Sequence, residues 1–164
     1  MSSDTRWLDK GEQEVWRALR ELIWGFESAM DRQLIRDSEL SGVEYSVLAA
    51  LSEAEDGVMR ARDIAQALDW ERSRLSHLLK RMEAKGLVAR TECESDARGF
   101  NISMTAAGHK AIVRAAPGHV SFVRENIFDP LTEDERDALH SAATKIQASI
   151  RAAGLWENRG APKA

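Results

Sequence analysis

Apolar residues near the N-terminus recur at helical intervals: Val15, Trp16, Leu19, Leu22, Ile23, Phe26, Met30 and Leu34 follow one another mostly at three- and four-residue steps. Such spacing gathers them on one face of an amphipathic helix of about seven turns. Asp9 stands three residues before Glu12, the spacing of a capping box, in which each side chain takes a backbone N–H that the helix start leaves free. A long helix with a wide apolar stripe suits packing against a second subunit.

Downstream the pattern breaks into shorter pieces. Ser41 and Glu44 repeat the box and open a helix through Leu51, with Val43, Val47, Leu48 and Leu51 on its apolar face. A polar turn covers 53–57. A short helix near 62–68 turns Ile64, Ala65 and Leu68 inward, and Asp69-Trp70 make a tight connection. The span 71–85 reads as a helix with Leu75, Leu78, Leu79 and Met82 on one face, ended by Gly86 as a glycine cap. The period then shortens to two: 87–91 and 100–104 read as strands of a β-hairpin joined by a polar loop at 92–99. Another helix starts at Thr105, with Pro117-Gly118 as a point where it can bend or break. Thr132 and Glu135 form a third box before a last helix carrying Leu139, Ala143, Ile146 and Ile150. Gly154 closes that helix, and the last ten residues read as frayed.

Two short helices across a tight turn, followed by a hairpin, describe a winged helix-turn-helix. The predicted fold is mainly α with a small β-hairpin wing. Residues 1–40 form an N-terminal dimerisation helix, 41–108 a DNA-binding lobe and 109–164 C-terminal dimerisation helices, all in one intertwined domain.

Composition first opposes and then supports this reading. The chain has 164 residues, 43% hydrophobic and 30% charged, which fits a single globular domain. Its net charge of -4 argues at face value against a nucleic-acid partner. Yet residues 1–57 hold 6 basic and 13 acidic side chains, whereas residues 58–100 hold 9 and 7. The acidity belongs to the N-terminal third. A single cysteine, Cys93, excludes an internal disulfide and a Cys-rich zinc site. Its neighbours Glu92, Glu94 and Asp96 disfavour a thiolate, so it reads as an incidental surface thiol. His77, His109, His119 and His140 lack short ligand spacing, and neither metal nor cofactor is expected. No apolar run reaches membrane length and no signal core is present, so a soluble cytoplasmic protein with no membrane partner is expected. Nothing in the sequence pairs a nucleophile with a base or builds a phosphate loop, which argues against an enzyme.

The chemistry sits on the helix at 71–85. Opposite its apolar face lie Arg72, Ser73, Arg74, Ser76, His77, Lys80 and Arg81. Arginine can donate two bonds to a guanine edge, serine and histidine can contact bases or phosphates, and Lys80 and Arg81 can neutralise phosphates. The same charges on a lone helix would suit a solvated face equally well. The hairpin tips the balance, because its loop brings Arg98 near the tip with Asp96 two residues before it. An arginine there can enter a minor groove, with an aspartate fixing its direction.

The runs Leu87-Val-Ala-Arg90, Asp96-Ala-Arg98-Gly99 and Met104-Thr105-Ala-Ala-Gly108 resemble the wing signature of MarR-family transcriptional regulators. Upstream, 63–68 and 73–87 are similar to that family's helix-turn-helix, and the resemblance covers roughly residues 8–150. It implies a homodimer with interlocked terminal helices whose two winged modules read a palindromic operator in double-stranded DNA, usually as a repressor. It makes Arg98 the minor-groove contact and Asp96 its orienting partner. His77 departs from the arginine many relatives carry. The resemblance also implies a small aromatic effector between the dimerisation helices and the DNA-binding lobe. Trp16, Trp24, Tyr45, Trp70 and His119 are the candidates to line its pocket, although helical spacing alone explains Trp16 and Trp24. The competing function is a winged-helix protein-interaction module that does not read DNA and uses the acidic first helix as its partner surface.

Overall fold

A computed structural model describes residues 5–54, 56–93 and 96–155, and for 93 and 96–98 the backbone alone. The order is α1 (Lys10–Ser38), α2 (Gly42–Ser52), β1 (Val58–Arg60), α3 (Ala61–Leu68), α4 (Arg72–Ala84), β2 (Val88–Cys93), β3 (Asp96–Met104), α5 (Ala106–Val123) and α6 (Glu133–Ala152). A π-helical turn at Arg124–Phe128 leads from α5 toward α6.

The predicted capping boxes all form. The Glu12 N–H donates to the Asp9 carboxylate at 2.8 Å, and the Asp9 N–H donates back to Glu12 at 2.9 Å. Ser41 with Glu44 and Thr132 with Glu135 repeat the exchange. Each cap contributes about 1 kcal/mol and sets where its helix begins.

One core holds the centre of the chain together. Leu34 of α1, Leu48 and Leu51 of α2, Ile64 of α3, Leu79 and Met82 of α4, Val88 of β2, Ile102 of β3 and Ile112 of α5 belong to one buried cluster. That cluster crosses the expected boundaries at 40 and 108. By contrast α6 buries none of its residues, and α1 buries only Gln33, Leu34 and Ser38.

The structure differs from the sequence reading in three places. The hairpin is part of a three-stranded antiparallel sheet of order β1-β3-β2. Strand β1 was not expected, because three residues between a polar turn and a helix are too short to show a period. The hairpin is also longer than predicted. Asp96 pairs with Cys93, and the register shifts between Glu92 and Cys93. Asp96 and Arg98 therefore lie in strand β3 and not in a loop. Finally, Pro117 does not interrupt α5, which continues to Val123. Proline removes a bond to the carbonyl four residues back, and both Pro117 and Val113 are exposed, so water can take that carbonyl. Gly118 supports close packing: a Cβ there would stand 3.0 Å from the Gln33 amide nitrogen of α1. The expected fraying of the last ten residues falls, from 156 onward, outside the described residues.

Candidate nucleic-acid interface

Helix α4 is built to present one polar face. Leu75, Leu78, Leu79 and Met82 are buried, while Arg72, Ser73, Arg74, Ser76, His77, Lys80 and Arg81 are all exposed. The seven predicted contact residues thus share one open surface. Gly86, at φ 70°, ends the helix: the Leu87 N–H reaches the Met82 carbonyl and the Gly86 N–H the Glu83 carbonyl, both at 2.9 Å. This is a Schellman cap, which turns the chain directly into β2.

A half-buried ion pair braces the far end of α4. Lys85 Nζ lies 2.7 Å from Glu44 Oε1, and the Glu44 side chain is 5% exposed. Burial resists ionisation of Glu44, but bonds from Lys85 and from the Ser41 N–H and hydroxyl outweigh it and hold its pKa below the ordinary value. The start of α2 is thereby tied to the end of α4.

Strand alternation explains what faces the helix. Val88 and Ile102 point into the core, and Arg90, two residues after Val88, shares their face. Its guanidinium carbon sits 4.3 Å from the centre of the Phe100 ring, a diagonal cross-strand contact, and its Nε is buried with no hydrogen-bond partner. Between this stack and α4 lies a cleft of about 450 Å³ lined by Arg60, Arg62, Arg72, Ser76, Arg90 and Phe100. Sequence reasoning missed Arg60, Arg62, Arg90 and Phe100. The alternation from Val88 was the available signal for Arg90; the missing strand β1 hid Arg60. The side chains of Cys93, Asp96 and Arg98 lie outside the described residues.

The aromatic candidates separate. Tyr45 of α2 and His119 of α5 meet with ring centres 4.6 Å apart and border a pocket of about 490 Å³ with Met30, Ala49, Met59 and Leu68. Burial pushes the Tyr45 hydroxyl pKa up and the His119 pKa down, and the His119 Nδ1 is buried without a partner. Trp16 and Trp24 do not line this pocket. They stand 51% and 64% exposed on α1, where Arg20 rests over the Trp24 ring at 5.2 Å. Trp70 is elsewhere again, in the turn before α4 and beneath Arg74. In the single chain only Tyr45 and His119 of the five candidates border this pocket, because Trp16 and Trp24 stand exposed on α1 and Trp70 lies in the turn before α4. Among the described residues no group of three His, Cys, Asp or Glu could hold a metal, and no helix is long and apolar enough to cross a membrane.

Comparison with known proteins decides the family. The family model described as MarR family matches residues 38–99, from the end of α1 into the wing. The regulator PecS of Dickeya dadantii is 30% identical over 68% of this chain and 68% of its own. The crystal structure of Sco3205, a MarR-family transcriptional regulator from Streptomyces coelicolor in complex with DNA, is 36% identical, with a TM-score of 0.85 over 91% of this chain and 93% of that one. The chain belongs to the MarR family. The HTH-type regulator PrsX of Escherichia coli is 29% identical, and the match spans 63% of its length. The relatives this chain matches are helix-turn-helix transcriptional regulators.

Proposed function

We propose that this MarR-family regulator is a cytoplasmic homodimer that reads a palindromic operator in double-stranded DNA and represses until a small aromatic effector binds. The observation that carries the reading is the α4 surface, where seven polar or basic side chains are exposed opposite four buried apolar ones. A helix with that division fits a major groove. Ser73, Arg74, Ser76 and His77 lie toward its N-terminal half and are the base-reading group. Arg72, Lys80 and Arg81 take phosphates, and the cleft under Arg90 accommodates the backbone between helix and wing. Arg98, oriented by Asp96, enters the minor groove. In support of the dimer, Val15, Trp16, Leu22 and Ile23 of the α1 stripe are exposed in the single chain and α6 buries nothing.

The pocket between Tyr45 and His119 borders α1, α2, α3 and α5. An aromatic effector there spreads the lobes only to the extent that it binds the spread form more tightly. Selection of bound sequences from random duplexes tests the whole reading. The expected motif is palindromic, with half-sites about one helical turn apart, and binding weakens with salt and is lost in Arg98→Ala. Failure to bind any duplex at low salt refutes it and leaves the protein-interaction module as the reading to pursue.

A further inference from the structure

Trp70 fills the turn between α3 and α4. Its backbone N–H donates to the Ala65 carbonyl at 3.0 Å, which sets the turn, and its half-buried ring packs against the core. That packing holds the indole in place before any ligand arrives. Over it rests Arg74, with the guanidinium carbon 5.4 Å from the ring centre. Arg74 is the third residue of α4, at the end from which recognition helices contact bases. No ion pair among the described residues engages it. A cation over an indole uses the ring face, and its N–H donors point outward in the guanidinium plane, where a guanine's two acceptors can receive them. Holding that pose in advance removes part of the rotamer entropy that binding would otherwise cost. Lys80 and Arg81, further along α4, have no such support among the described residues.

We propose that Trp70 is a positioning residue that aims Arg74 at a guanine, which makes Arg74 the specificity-determining arginine of α4. The inference rests on the DNA-reading function above and moves Trp70 from effector binding to operator recognition.

The test is selection from a random duplex pool, run in parallel on the wild type, Arg74→Ala, Trp70→Met and Trp70→Phe. The wild type recovers a motif with guanine at one symmetric pair of positions. Arg74→Ala lowers the preference there by about 5- to 150-fold. Trp70→Met, apolar and of adaptable shape but without a π face, lowers it at the same pair by about two- to fivefold. The other positions and the salt slope stay unchanged, because the charge is still present. Trp70→Phe falls between Met and the wild type. If Trp70→Met leaves the preference intact, or erodes every position in step, Trp70 is only a packing residue and the proposal is overturned. If the Met variant does not melt cooperatively, the Phe variant decides: a drop confined to the Arg74 positions supports the proposal, and no drop overturns it. A wild type that recovers no motif overturns the DNA-reading function itself, a separate result.

Discussion

Gly108 is the joint between the wing and α5, and alanine there should loosen it. Gly108 is buried, and a Cβ built on it would fall onto the Leu87 carbonyl oxygen and stand 3.0 Å from Met104 Cγ. That carbonyl accepts the Thr105 N–H at 3.2 Å and the Thr105 hydroxyl at 3.1 Å, while the hydroxyl also donates to the Gly86 carbonyl at 2.6 Å. The Gly108 N–H closes the knot on the Thr105 oxygen at 3.0 Å. A new methyl group must push β2 and α5 apart. Overpacking costs about 1–3 kcal/mol, and disturbing two hydrogen bonds costs about 2 kcal/mol more. Alanine's better helix propensity returns about 1 kcal/mol. The net loss is about 2–4 kcal/mol, or roughly 5–15 °C in Tm for a chain of this length. Thermal denaturation followed by circular dichroism, at one fixed protein concentration, measures it. A Gly108→Ala variant as stable as the wild type would show that helix propensity outweighs the contact and that the joint is not tight.

The pair of Glu44 and Lys85 predicts an acid limb. Because the folded carboxyl has its pKa below the unfolded value near 4.5, its contribution is fully present above that value and is lost as pH falls through the folded one. Urea midpoints should therefore drop below about pH 4.5 in the wild type and less steeply in Glu44→Gln; equal slopes would refute this. Ile23→Glu places a charge on the exposed part of α1 and should convert the proposed dimer to monomer in sedimentation, since an unpaired charge is costly to bury; an unchanged dimer would remove α1 from the interface. Arg72, Lys80 and Arg81 enter no ion pair among the described residues, so in the proposed dimer two subunits would offer about six phosphate contacts and a salt slope of about -5. A slope near twice that would mean the stacked arginines also neutralise phosphates.

Legibility followed the range of each interaction. Helix starts were readable because a capping box is closed within four residues, as at Asp9–Glu12 and Thr132–Glu135. The glycine at 86 was readable for the same reason. What failed was settled across the sheet or between helices. Strand β1 exists because Met59 finds Ile102 on β3, a partner no local pattern announces. The hairpin extends past the polar stretch because cross-strand pairing at Glu92–Phe100 and Cys93–Asp96 prevails over the loop propensity of Ser, Asp and Gly. Pro117 reads as a breaker only while its exposed position on α5 is unknown.

The candidate interface shows the same division. A period of 3.6 was enough to place seven polar residues on one face of α4. It could not say which of them are held and which are free, because the aromatic supports come from other elements: Trp70 from the turn for Arg74, Phe100 from β3 for Arg90. Nor could it collect the tryptophans correctly, since an aromatic on a helical stripe looks alike whether it lines a pocket, meets a partner or supports an arginine. Charge behaves in the same way. Six of the 13 acids of residues 1–57 lie on α1, which packs mainly on α5 and α2. Exposed charges further apart than about 8 Å are largely screened at physiological salt. A net of -4 therefore says little about DNA affinity, which on the proposed reading depends on the few basic side chains that α4 and the cleft bring to one surface.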